Sequence, residues 1–372
     1  MQINKYYFLF VSLLCCITNI SAQETNHEVV PQRPAVYVPI NIKIYEHEPQ
    51  KSPVHICAIY PLGTHGQQSM NHIYNFSFTL LASKVRGING VHISGLYSQA
   101  PEKVNGLQIA GLGGNSAGNL KGVQIGGVTN YSVKMRGIQI AGFFNAAADN
   151  SVGVQISGFA NATADIKGVQ IGGVGSAAQN MTGIQIGGIS TIAQNMTGLQ
   201  ISGTYNRIDT LKGVSISIAS FADTIAKGFS LSLVNIVKQG YYRELELSFA
   251  DYANVAISYR MGTKKLYTIY TTGINFIDDN QLINGIGFGN RTPIGKRFDF
   301  QPELGVQSFL PTNLISLKNI KNIFEARFKI GFVYRLNEKF GLSLAPSVYV
   351  KNDNKQITKG LGVSLGLKMI RK

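Results

Sequence analysis

The chain has 372 residues, a formal net charge of +15, 44% hydrophobic and 14% charged residues, 41 glycines and no tryptophan. So few charges beside so much glycine suit an all-β protein, and helix-period patterning is hard to find after the first residues. The basic residues are spread singly, mostly over the C-terminal third, so no DNA-reading face is assembled and nucleic acid is not an expected partner.

Residues 1–22 read as a secretory signal peptide. Lys5 gives the positive start, Tyr6 to Ile17 the apolar stretch, and Ala22 the small residue before cleavage. As a helix that stretch is too short for a hydrocarbon core of about 30 Å. Its removal takes Cys15 and Cys16 away and leaves Cys57 with no disulfide partner. Residues 23–52, polar and with several prolines, read as a flexible leader. Residues 53–89 read as N-terminal strands forming a cap, with Cys57 as a buried strand residue. Asn75-Phe-Ser-Phe-Thr79 falls one period before Gly90 and resembles a degenerate first copy of the repeat that begins there.

Residues 90–242 form a β-repeat array. Its phrase Gly-Φ-Gln-Ile-x-Gly (Φ apolar) recurs at glycines 90, 106, 122, 137, 153, 168, 183, 198, 213 and 228, always 15 or 16 residues apart. Strand alternation puts Val123 and Ile125 on one side and Gln124 on the other. Two folds fit: a parallel β-solenoid with one coil per unit, or an antiparallel meander of hairpins. In the solenoid, Val123, Ile138, Val154, Val169, Ile184 and Leu199 stack as a buried apolar column. Gln108, Gln124, Gln139, Gln155, Gln170, Gln185 and Gln200 then form an in-register amide ladder. Stacking explains why one register keeps Gln, and a meander does not; a solvated strand face is the plainer alternative. On this assignment Ile140→Asp buries a carboxylate and is more damaging than Gln139→Ser. The last two copies replace Gln by Ser215 and Ser230, which marks the end of the array.

In residues 243–372 longer alternating strands take over. Segments 244–249, 253–261, 265–277, 282–290, 296–309, 323–335, 339–350 and 359–370 give eight candidate strands, the smallest number that commonly closes a membrane barrel. A soluble antiparallel sheet has the same alternation and stays open as a reading. In a membrane barrel Phe328 and Ile330 face lipid while Arg327 and Lys329 face the interior. The closing Ile370-Arg371-Lys372 lacks the terminal aromatic usual in outer-membrane barrels.

Little in the chain points to chemistry. All six histidines precede residue 93, and Glu46-His47-Glu48 has no partner at metal-site spacing. Between Gly106 and Gly203 the only acids are Asp149 and Asp165, which occupy different repeat positions. A glycoside hydrolase needs two carboxylates converging within about 5–10 Å. No catalytic, cofactor or metal site is therefore expected, and the chain reads as a non-enzyme. Thr210 and Thr224, in Asp209-Thr-Leu211 and Asp223-Thr-Ile225, match an O-glycosylation acceptor; Asn161, Asn180 and Asn195 match the N-glycosylation pattern.

The repeated phrase, behind a signal peptide and ahead of alternating strands, resembles a family of bacterial surface-repeat proteins found chiefly in Gram-negative anaerobes. The likeness covers about residues 54–260. It implies placement in the cell envelope and brings no established activity and no catalytic residue. The expected protein is exported and outer-membrane-associated, with a β-solenoid-like array ahead of an antiparallel β-barrel or barrel-like sheet. Its expected role is structural or adhesive. Its expected partners are outer-membrane lipid and, for adhesion, glycans or host or cell-surface molecules. Two rivals remain: a porin-like channel whose repeats also span the membrane, and a glycan-processing solenoid enzyme.

Overall fold

Parallel stacking decides how the repeats are arranged. The computed structural model describes residues 48–276, 280–311, 323–352 and 356–371; the signal segment and nearly all of the leader lie outside the described residues. From Gln50 to Gln239 successive coils lie in one sheet whose strand order follows the chain. Gly122 pairs with Gly137, Val123 with Ile138 and Gln124 with Gln139, all in parallel. The same register runs on to Gln200 opposite Ser215. The array is thus a β-solenoid, and the hairpin meander is excluded. Stacking begins before the first full repeat, since Val54 pairs with Phe76 and Phe76 with Val91.

The repeated glycine is a corner that no other residue fits. Each copy has positive φ, +147° at Gly168. A Cβ there would lie 1.9 Å from the carbonyl oxygen of Gly153 in the coil before. Both the backbone region and the close approach demand glycine.

The two faces of the repeat strand are the reverse of the sequence expectation. Gln124, Gln139, Gln155 and Gln170 are fully buried, whereas Ile138 and Ile140 are 37% and 39% exposed. The core is filled from the weaker strand of each unit, by Leu120, Met135, Ile166, Met181, Met196 and Leu211 with small alanines between them. A long apolar residue from that strand, present in most coils, already occupies the narrow interior. The Gln side chains complete it because stacked amides satisfy one another, and the aliphatic Φ and Ile positions are left outside.

Eight antiparallel strands follow: Tyr242–Ala250, Ala253–Thr263, Leu266–Asn275, Gln281–Gly289, Phe298–Pro311, Ile323–Arg335, Phe340–Asn352 and Ile357–Arg371. Each pairs with the next, and the first pairs with the eighth through Leu245 opposite Met369 and Leu247 opposite Leu367, so the sheet closes into a barrel. A three-residue strand, Thr292–Ile294, folds back on the start of the fifth. The last solenoid coil leans on the outer wall near one rim. There the Thr268 hydroxyl donates to the Ser232 carbonyl and the Tyr270 hydroxyl to the Leu233 carbonyl, both at 2.6 Å.

Candidate functional surfaces

Two rows of stacked amides run inside the array. In the first, the Nε2 of each Gln donates to the Oε1 of the Gln one coil earlier, from Gln124 to Gln108 (2.8 Å) through to Gln200 to Gln185 (2.9 Å). His92, Ser77 and His55 hold the same register at its head, and the buried Oε1 of Gln200 has no partner where Ser215 follows. The second row escaped the sequence reading. Asn115 donates to Asn130, Asn130 to Asn145 and Asn145 to Asn161 at 2.8–3.0 Å. Each Nδ2 also donates to a backbone carbonyl ten or eleven residues on in its own coil, as Asn130 does to Ile140 at 2.6 Å, which ties the coil shut. The signal for it was present: Asn recurs at 15- or 16-residue spacing at 115, 130, 145 and 161, and again at 206.

Outside, one face of the array is aliphatic. The Φ and Ile columns share it with the residue after the next glycine, such as Val128 and Ile189 at 44% and 52% exposed, and Phe143 stacks on Phe159 at 4.5 Å. Just across the corner glycine the outward position carries Lys121, Arg136, Lys167, Lys212 and Lys227, all exposed.

The barrel is inside out relative to a soluble protein. Its wall presents Leu247, Ile257, Leu304, Phe328, Leu344 and Leu365 to the surroundings, each at least 40% exposed. Its lumen holds the charges. Arg260 contacts Glu303 at 2.6 and 3.0 Å and Glu246 at 2.6 Å. Lys368 reaches Glu244 at 2.8 Å, and Arg291 joins Glu244 to Asp299. Toward the other rim Arg327 binds Asp251 and Glu325 between the rings of Tyr252 and Tyr349. Burying so many ions is tolerable only because each is paired and hydrogen-bonded. The space left beside Glu303, Arg327 and Lys329 is about 20 Å³, room for about one water.

The remaining candidates do not converge. Asp149 pairs with Lys134 at 3.3 Å, and Asp165 accepts from Asn180 at 2.5 Å. Thr210 and Thr224 are half-buried on the last coils, and Thr224 donates to Gln239 at 3.0 Å. Asn161 is buried in the inner Asn row, whereas Asn180 and Asn195 are exposed. Glu46 and His47 lie outside the described residues. In the cap His65 stacks on His72 at 4.0 Å and its Nδ1 meets the Tyr74 hydroxyl at 2.9 Å. Burial, helped by the charges of His65 and His72, lowers His55 to about 4, and burial lowers His92 to about 3. No group of three or more metal-ligating side chains occurs among the described residues.

No family model and no curated protein matches the sequence. Two solved structures are similar in part. One comes from "De novo design of transmembrane beta-barrels"; it is 14% identical, with 36% of this chain and 96% of that one covered and a TM-score of 0.23. The other is the Yersinia pestis outer membrane protein Ail in a phospholipid bilayer nanodisc, 10% identical, with 35% and 99% covered and a TM-score of 0.24. At such scores neither carries an argument about this chain.

Proposed function

We propose that the protein is an outer-membrane barrel bearing a rigid, non-catalytic β-solenoid as a structural element of the cell envelope. The observation that carries this reading is the inverted polarity of the barrel: paired ions fill the lumen while leucine, isoleucine and phenylalanine cover the wall. A soluble barrel would set that wall against water; a bilayer is the solvent that suits it. The strands run from 9 to 15 residues, enough for the roughly 9–11 that a tilted spanning strand needs. The filled lumen speaks against the porin-like alternative, and the solenoid's separate parallel sheet against repeats that span. Exported placement and kinship with the surface-repeat family fit this reading.

The two rims bear on which side the array occupies. The strands that end at Thr263, Gly289 and Arg335 end at the rim beside the solenoid; those that end at Ala250, Asn275, Pro311 and Asn352 end at the other. Outer-membrane barrels keep short turns in the periplasm and longer loops outside. The widest gap in sequence between consecutive strands, from Pro311 to Ile323, falls at the rim away from the solenoid, which favours a periplasmic, structural array over a host-facing adhesin. Expression of the full chain in a Gram-negative host tests both parts. Heat-modifiable gel migration and resistance to carbonate extraction are expected; loss of both returns the barrel to a soluble sheet. Protease added to intact cells should leave the array whole, and cleavage within residues 90–239 would support the adhesive role instead.

A further inference from the structure

Among the described residues nothing covers the aliphatic face of the solenoid. Ile125, Ile140, Ile156 and Ile171 are 36–39% exposed in one column, flanked by the Φ column and by the corner residues. From Ile125 to Ile216 that column climbs six coils, about 29 Å at a strand spacing of about 4.8 Å. Isolated surface aliphatics are ordinary; a continuous sheet face of them is not.

Two observations identify what covers it. The face runs into the barrel wall: Leu233 and Val234, 41% and 37% exposed, belong to the coil whose carbonyl binds the outward Tyr270 hydroxyl. The apolar surface of the array is therefore continuous with the surface that the barrel turns to lipid. The edge of the face is also cationic. Lys121 and Arg136 stand opposite each other in register, Lys167 and Lys212 lie in the same column with Val152, Thr182 and Thr197 as its neutral members, and Lys227 lies one period after Lys212. No carboxylate pairs with any of the five among the described residues. The array of a second copy would not supply matching charge, since of the five acids in residues 90–242 all but Asp165 already pair with a lysine or arginine. Anionic headgroups would.

We propose that this face rests on an anionic lipid leaflet, so that the array lies along the membrane. The aliphatic columns enter the acyl boundary and the basic column meets the headgroups, as in an amphipathic interfacial helix. The inference rests on the barrel reading above.

Because the chain has no tryptophan, a single introduced one reports its own surroundings. The full chain is assembled into phosphatidylcholine–phosphatidylglycerol vesicles whose acyl chains carry bromine, a contact quencher. Ile125→Trp, Ile171→Trp and Phe328→Trp are expected to be quenched, and Asn195→Trp, on another outer side of the coil, is not. Quenching at Phe328→Trp without Ile171→Trp overturns the inference and leaves the barrel standing. Its absence at Phe328→Trp removes the barrel reading and the inference with it. Protection of Ile171→Trp in detergent together with a doubled mass by light scattering would assign the face to a second copy, which also overturns the proposal. As an independent arm, Lys167→Glu with Lys212→Glu, both exposed, should lower quenching at Ile186→Trp by at least about half. Unchanged quenching there would deny the basic column its part.

Discussion

The array and the barrel both hide polar groups and display aliphatic ones, yet they satisfy the hidden groups differently. In the array each amide is bonded to its own copy one coil away, as Gln139 is to Gln124 at 2.7 Å. In the barrel the ions meet residues of another kind, several of them far along the chain, as Lys368 meets Glu244 and Arg260 meets Glu303. Neutral self-stacking spreads the interior over many equivalent contacts, whereas the lumen depends on a few charges that have no substitutes. The first should fail gradually when altered and the second abruptly.

The sharpest test of that contrast is Arg260→Met. It leaves Glu246 and Glu303 buried with much of their positive charge gone, a loss of about 3–5 kcal/mol, so the heat-modifiable folded band should largely disappear. Retention of the band would mean that the lumen is as forgiving as the array. Gln139→Ser comes next: it removes the acceptor of Gln155 and the donor to Gln124 and should cost about 2–3 kcal/mol in a thermal melt. Each of the two buried histidines of the first coils should cost a similar amount in acid. His55 and His92 stay neutral when folded down to about 4 and 3, while the unfolded chain takes up protons below 6.5. The unfolded state therefore binds more protons between those values, and stability falls as pH drops from about 6.5 toward 4, by on the order of 2 kcal/mol per histidine at pH 5. His92→Gln, which restores the repeat consensus, should reduce that slope in melts compared at pH 7 and pH 5. The smallest effect belongs to Ile140→Asp, expected within about 0.5 kcal/mol in detergent because the side chain is already exposed. A melt in which Ile140→Asp is worse than Gln139→Ser would return the aliphatic column to the inside.

The last pair reverses what the sequence suggests, and the reason is specific. Coil length, the stacking register and the eight later strands could be read because each is a local period, and the observed barrel strands begin and end within about three residues of the expected ones. Which side of Val123-Gln-Ile125 faces inward could not, because alternation fixes two faces without saying which is buried. The usual assumption that aliphatics go inside overlooked Met135, Met181 and Met196, which fill the interior from the weaker strand. The lumen pairs were illegible for another reason. Nothing near Glu244 in the chain announces Lys368, so only closure of the first strand on the eighth brings them together.

The two amide rows point in opposite senses. Every Gln donates toward the N-terminal end of the stack, and every Asn from Asn115 to Asn145 donates toward the C-terminal end. Each row polarises along its own length, but the moments oppose, and the parallel sheet around them adds little of its own. A coil that carries both amides therefore lengthens the stack with opposed side-chain moments, whereas past Asn161 the Gln row runs on to Gln200 with Ser176 and Thr191 at the Asn position. A unit bearing both Gln and Asn can be gained or lost with little change in the electric field at the two ends of the stack.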